Sequence, residues 1–285
     1  MFADDTNISI AAKSVTELES IINSELKNLH QWLIANKLSL NVAKTEFMII
    51  GSRQRLMIHN NEQINIEIDG KIIKRVKDTK SLGLQIDEHL VWARHVEGIS
   101  KKVASAIGAL KRIRQFIDTS TALKIYGALI QPYFDYCSSV WDGLNITLND
   151  KLQKLKNRAA RVITKSGYDA SSSDLFTKLG WDNLSTRRKK HKAVIMFKIL
   201  NDLTPDYLRN LFEFHSTGYN LRNSENALFV PKPRTNYAKR SFSYRGAVLW
   251  NELPQNVRAL CSLNQFKREI DNIFPYKTDS RTAIL

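Results

Sequence analysis

Phe2-Ala3-Asp4-Asp5-Thr6-Asn7-Ile8-Ser9-Ile10 sets two adjacent carboxylates at the head of an alternating run. Polar residues alternate with Ile8 and Ile10, the period of a half-buried strand, so a strand is expected over residues 6–10. Adjacent carboxylates repel each other. Such a pair is either solvated at a turn or held by a divalent cation, because hard oxygen ligands suit Mg²⁺ and its phosphate substrates. On a strand, neighbouring side chains point to opposite faces, so only one Asp of the pair serves as a principal ligand. A two-metal phosphoryl-transfer site then needs a carboxylate from another segment.

Downstream, Ser14-Val15-Thr16-Glu17 has capping-box spacing. Val15, Leu18, Ile21, Ile22, Leu26, Leu29 and Leu33 follow at helical intervals and predict one amphipathic helix to about Asn36. Short strand-like runs come next, at 46–51, 64–69, 71–75 and 81–86, with Asp69-Gly70 as a two-residue hairpin turn. Residues 1–87 therefore read as α+β, a helix packed on a small antiparallel sheet.

From His89 the period becomes helical. Val96, Ile99, Val103, Ile107, Leu110 and Ile113 form one stripe. A second helix is expected over 120–131, stopped by Pro132, a third over 149–164 and a fourth over 184–201. Ser166–Ser173 is the best linker candidate. The last eighty residues read as irregular, broken by Pro231, Pro233 and Pro254.

The chain has 285 residues, 43 Lys/Arg and 28 Asp/Glu, for a net charge of +15. Residues 151–200 hold 13 of those cations against 3 carboxylates, whereas residues 1–50 hold 4 against 6. So concentrated an excess favours polyanion partners through counterion release. The expected helices over 151–165 and 187–192 carry Lys and Arg around most of their circumference, more than a core-packed helix needs. A solvated charged face is the plainer reading, as is a nuclear-localisation-like run at Arg187–Lys192. No apolar run reaches membrane-spanning length, and no signal-peptide pattern opens the chain. The expectation is an intracellular protein, not secreted and without a membrane partner. Cys137 and Cys261 are expected as free, buried thiols. His89, His95 and His191 have no metal spacing and read as structural. Trp32, Trp92, Trp141, Trp181 and Trp250 read as core anchors, and Tyr219, Phe242 and Tyr244, beside arginines, as candidates for stacking on bases.

Further motifs follow in a fixed order. Asn41-Val42-Ala43-Lys44-Thr45-Glu46 precedes a strand, Ser81-Leu82-Gly83-Leu84 follows, and then come Gln131-Pro132-Tyr133-Phe134-Asp135-Tyr136, Gln153 to Arg161, and Trp250-Asn251-Glu252-Leu253-Pro254. This ordered set resembles the reverse transcriptases of non-LTR (LINE-type, jockey-like) retrotransposons over nearly the whole chain. The family has an aromatic-Ala-Asp-Asp hairpin, an Asn-x-x-Lys-Thr strand and a Leu-Gly primer-gripping hairpin at similar distances.

The resemblance implies an RNA-directed DNA polymerase dependent on Mg²⁺ or Mn²⁺, acting on an RNA template and a DNA primer. Asp4, assisted by Asp5, would bind the metal, which brings the primer hydroxyl to the triphosphate. Lys44 would stand near the leaving pyrophosphate; by residue type alone it reads equally as a solvated lysine at a strand entrance. Leu82 and Gly83 would shape the primer grip, with a plain strand glycine as the alternative. Lys154, Arg158, Arg161, Arg187, Arg188 and Lys190 would grip template–primer phosphates. The fold implied is a truncated reverse-transcriptase palm (residues 1–88), a helical thumb-like region (89–165) and a basic C-terminal extension (166–285). The family's earlier palm strand, with its metal-binding Asp, has no counterpart here, since only Met1 precedes Phe2. The chain alone is therefore expected not to polymerise. The alternative is a non-enzymatic nucleic-acid-binding protein built from residues 90–285.

Overall fold

The computed structural model describes residues 6–58, 64–215 and 226–275. Asp4, Asp5 and Tyr219 lie outside the described residues. The chain divides into two compact units, residues 1–95 and 96–285.

The first unit is built on helix α1 (Val15–Ala35), which begins where the capping box predicts. Ser14 Oγ accepts the Glu17 amide at 3.1 Å, and the Glu17 carboxylate accepts the Lys13 amide at 3.0 Å. Those bonds satisfy amide donors that a helix start leaves open. α1 lays Ile22, Leu26 and Leu29 against Ile66, Ile68 and Ile73. A short helix α2 (Arg53–Ile58) follows later. Trp32, expected as a core anchor, is 54% exposed, because it sits beyond the apolar stripe that meets the strands.

In place of one antiparallel sheet, the described residues form three two-stranded pairs. The strands are β1 (Glu46–Phe47), β2 (Glu67–Ile68), β3 (Lys71–Ile72), β4 (Lys74–Arg75), β5 (Asp78–Ser81) and β6 (Leu84–Asp87). β2–β3 and β5–β6 are antiparallel, whereas β1–β4 is parallel. The expected strand 71–75 splits at Ile73, whose side chain is buried and whose amide still bonds Ile66 O at 2.8 Å. Beyond it the chain leaves β2 and pairs with β1. Residues 6–10 form no strand, since a strand needs a neighbour and none pairs with them among the described residues.

Asp69-Gly70 is the hairpin turn expected, with φ of 53° and 69°. The run 81–86 is not one strand but a second such hairpin. Its turn is Leu82-Gly83, with φ of 45° and 85°. Two-residue hairpins favour this left-handed pair because its twist matches the strands. Behind β6, the Asp87 carboxylate accepts the amides of His89, Val91 and Trp92 at 3.1, 3.1 and 2.8 Å.

The second unit is helical. α3 (Ala93–Ile113) buries Val96, Ile99, Val103, Ile107 and Leu110, as their spacing predicts, and leaves Ile113 at the surface. α4 (Thr119–Leu129) is capped by Asp118, which accepts the Thr121 amide at 2.8 Å. Pro132 does not stop this helix. It opens the next, α5 (Gln131–Asp135), where a missing amide donor costs nothing. α6 (Ser138–Trp141) follows. Cys137, at the α5–α6 junction, and Cys261 are exposed rather than buried.

α7 (Ile146–Thr164) starts three residues before its expected position because Asn145 accepts the Leu148 amide at 2.9 Å. The segment 166–173 leads into α8 (Ser172–Leu179), a helix that the residue pattern does not announce. α8 packs Leu175 and Phe176 on Ala160 of α7. α9 (Leu184–Leu200), capped by Asn183, matches its expected span. The tail is more regular than its prolines suggest. It holds α10 (Asp206–Arg209), α11 (Asn236–Arg240), α12 (Phe242–Glu252), α13 (Gln255–Arg258) and α14 (Leu263–Ile273). Met196, Phe197, Trp250, Phe266 and Ile270 form its core. The Trp250-Asn251 motif is part of that packing: Asn251 both donates to and accepts from the Leu228 backbone at 2.8 Å, as a strand neighbour would. No described helix is long and apolar enough to cross a membrane.

Candidate nucleic-acid interface

The consecutive cations Arg187–Lys190 lie all round α9, as expected, whereas on α7 all but the buried Lys156 fall on one side. On α7, Lys151, Lys154, Arg158 and Arg161 recur at spacings of three and four, within roughly 80° around the axis, and Lys165 follows as the left-handed residue that caps the helix. Four of these are exposed and Arg161 is half-buried. Leu152, Lys156, Ala159, Ala160 and Ile163 occupy the buried side. The outer stripe runs over about 15 Å of helix. Neighbouring like charges at these spacings cost about 0.2–0.5 kcal/mol per pair, so the three pairs within α7 together oppose folding by about 0.6–1.5 kcal/mol. A polyanion laid along the stripe removes that repulsion.

α9 does the reverse with much of its basic run. Arg188 and Lys192 fall on the face of Leu184, Met196 and Ile199, four residues apart, and are buried with them. Arg187 makes two parallel bonds of 2.7 Å to Asp135. Burial opposes the Asp135 charge, but the Arg187 bonds outweigh it and hold the carboxyl below the usual carboxylate range. Gln131 donates to the same carboxylate at 3.0 Å and accepts from Tyr126 at 2.6 Å. His191 stands 4.0 Å from Asp135, and burial lowers its pKa.

Arg188 donates to Asn149 at 2.6 Å and lies over the Trp141 ring at 4.6 Å, with burial lowering its pKa to about 10. Lys190 bridges Asp182 and Asp271 at 2.8 and 2.9 Å, and Lys192 pairs with Asp142. Breaking a buried pair of this kind costs about 3–5 kcal/mol, so these cations belong to the fold first. Of the expected phosphate-gripping set, Lys154, Arg158 and Arg161 share the outer stripe. Arg187, Arg188 and Lys190 are engaged inside the unit. Lys151 and Lys165 complete the stripe; their spacing from Lys154 and Arg158 is the signal that marks them.

In the first unit, Lys44 is exposed at the end of a 3₁₀ turn, Val42–Lys44, just before β1. The same Asn41–Thr45 segment borders an open groove shared with Lys71, Ile72 and Lys74. Leu82 is 60% exposed at the tip of the β5–β6 hairpin, beside Gly83. Among the described residues no cluster of three or more His, Cys, Asp or Glu is placed to hold a metal ion. Of the stacking candidates, Phe242 is packed edge-on to Phe212 with centroids 6.0 Å apart. Tyr168, which was not among those candidates, is 93% exposed in the α7–α8 loop.

The motifs and the comparisons with known proteins point the same way. Over 147 residues, 49% of this chain, the sequence is 25% identical to a Retrovirus-related Pol polyprotein from type-1 retrotransposable element R1 2 of Nasonia vitripennis, covering 35% of it. It is 22% identical over 195 residues, 67% of this chain, to a probable RNA-directed DNA polymerase from transposon BS of Drosophila melanogaster, covering 21% of it. A third relative, the RNA-directed DNA polymerase from mobile element jockey of the same fly, is 20% identical over 58% of this chain and is covered over 17% of its own length. The chain thus spans well under two thirds of each of these relatives. No protein-family model matches the chain, and no solved structure does. The chain is distantly related to the reverse transcriptases of non-LTR retrotransposons.

Proposed function

We propose that this chain is the part of a non-LTR retrotransposon reverse transcriptase that runs from the catalytic hairpin onward, and that its second unit holds RNA–DNA duplex by the phosphates. The order of the motifs supports the first statement. The α7 stripe of Lys151, Lys154, Arg158 and Arg161, continued by Lys165 at the helix end, supports the second, because neighbouring cations repel and a polyanion relieves that repulsion. In this reading residues 1–88 derive from the palm and the helices after it from the thumb. Asp4 and Asp5 are the carboxylates for Mg²⁺ or Mn²⁺, Lys44 serves the pyrophosphate side, and Leu82-Gly83 touches the primer. Those assignments rest on the resemblance alone.

Contacts of this type are sequence-independent and release counterions. Four exposed stripe cations imply a slope of log affinity against log salt of about −2.8 to −3.6, a loss of about 50- to 150-fold between about 50 and 200 mM salt. The test is fluorescence anisotropy with a labelled RNA–DNA duplex. The variant Lys151→Gln, Lys154→Gln, Arg158→Gln, Lys165→Gln changes only exposed side chains and should flatten that slope by about the same amount. An unchanged slope and affinity in the variant would remove α7 as the phosphate track.

A further inference from the structure

The α7–α8 loop presents one aromatic ring at the end of the cation stripe. Tyr168 is 93% exposed, yet the Arg161 guanidinium lies over its ring, 5.5 Å from the centroid. Arg161 is itself held, since Nη2 donates to Ala170 O at 3.2 Å across the loop. The loop is closed by the Ser166 amide on Arg161 O at 3.0 Å and the Ala170 amide on Gly167 O at 3.4 Å. Thr164 Oγ1 and Ser166 Oγ share a 2.8 Å hydrogen bond. At 93% exposure both faces of the Tyr168 ring are open to a partner, with the Arg161 guanidinium beside it.

Resting on the reading of α7 as a phosphate track, we propose that Tyr168 stacks on an unpaired base, so that the second unit engages the junction between a duplex and a single-stranded extension. Arg161 and Lys165 supply charge for the adjoining phosphate, while the ring takes the π-face of the base without regard to its identity. Asp169 is the one acidic side chain in this loop and is outnumbered by them. A fully paired duplex end offers no base in this position, so the site discriminates by structure and not by sequence.

The experiment compares a blunt RNA–DNA duplex with duplexes carrying about four unpaired nucleotides at the 5′ or the 3′ end of one strand. The unmodified chain is expected to favour one of the extended duplexes. Tyr168→Ala should cost that duplex about five- to 150-fold in affinity and leave the blunt one unchanged, whereas Tyr168→Phe should keep the preference. Irradiation of the extended duplex with 5-iodouridine in the overhang should crosslink Tyr168, mapped by mass spectrometry of the peptide. Equal affinity of Tyr168→Ala and the unmodified chain for extended duplex, with α7 charge variants still weakened, overturns the stacking proposal and leaves the phosphate track standing. Absence of binding by the unmodified chain to any of the duplexes overturns both.

Discussion

Replacing Lys156 by Met should change the pH dependence of the second unit's stability. Lys156 lies on the inner face of α7, where its Nζ donates to Asp182 O at 2.6 Å. It stands over the Phe176 and Trp181 rings, 5.6 and 5.4 Å from their centroids. Burial, reinforced by the nearby Arg187 charge, lowers its pKa from 10.5 to about 7, while Asp135 and Asp182 oppose that fall. Between those two values the unfolded chain keeps a proton that the folded chain has lost. Stability therefore rises with pH across this window, by about 1.4 kcal/mol per unit, and the gain is absent below it.

Lys156→Met keeps the volume and removes the titration. Between about pH 7.5 and pH 9 the unmodified unit should gain about 2 kcal/mol relative to the variant. At an m-value of about 2 kcal/mol/M, that is about 1 M in urea midpoint. His191 does not disturb the comparison, because burial lowers its pKa and keeps it neutral throughout this range. Pulse proteolysis along a urea series, scoring the fragment that carries α7 to α9, reads this unit separately from the first. A midpoint difference that stays constant with pH would show that Lys156 keeps its proton in the fold and that the burial argument fails.

Other substitutions test the geometry locally. Leu82 adopts a φ of 45° at an exposed hairpin tip, so Leu82→Gly should stabilise the first unit by about 0.5–1 kcal/mol, visible as a higher thermal midpoint; a lower midpoint would contradict the turn assigned here. Gly246→Ala places a Cβ 2.5 Å from Met196 Sδ in the core and should destabilise the second unit by about 1–3 kcal/mol. Adding Met196→Ala should then cost less than Met196→Ala does alone; full additivity of the two losses would argue against that contact.

The elements with local signals were legible in the residues. The Val96–Leu110 stripe, the cap at Ser14 and the Asp69-Gly70 turn each depend on residues a few positions apart. The sheet was not, because pairing depends on distant partners. The chain leaves β2 at Ile73 to pair in parallel with β1, and nothing within 71–75 specifies that exchange. Trp250-Asn251 shows a related gap: read as a family motif, it proves to be a buried ring and a side-chain clamp on Leu228.

The candidate interface divides along the same line. The sequence by itself determined that residues 151–200 carry a large cationic excess on two helices, since charge and helical period are properties of the chain alone; the outer face of α7 formed by Lys151, Lys154, Arg158 and Arg161 was not read from it. Only the tertiary structure decided which cations remain available to a partner. Arg187, Arg188, Lys190 and Lys192 meet Asp135, Asn149, Asp182 and Asp142, which are brought to them by other helices and by loops. A charge is withdrawn from solvent only where a partner from elsewhere in the chain compensates its desolvation, and that pairing exists only once the helices have packed.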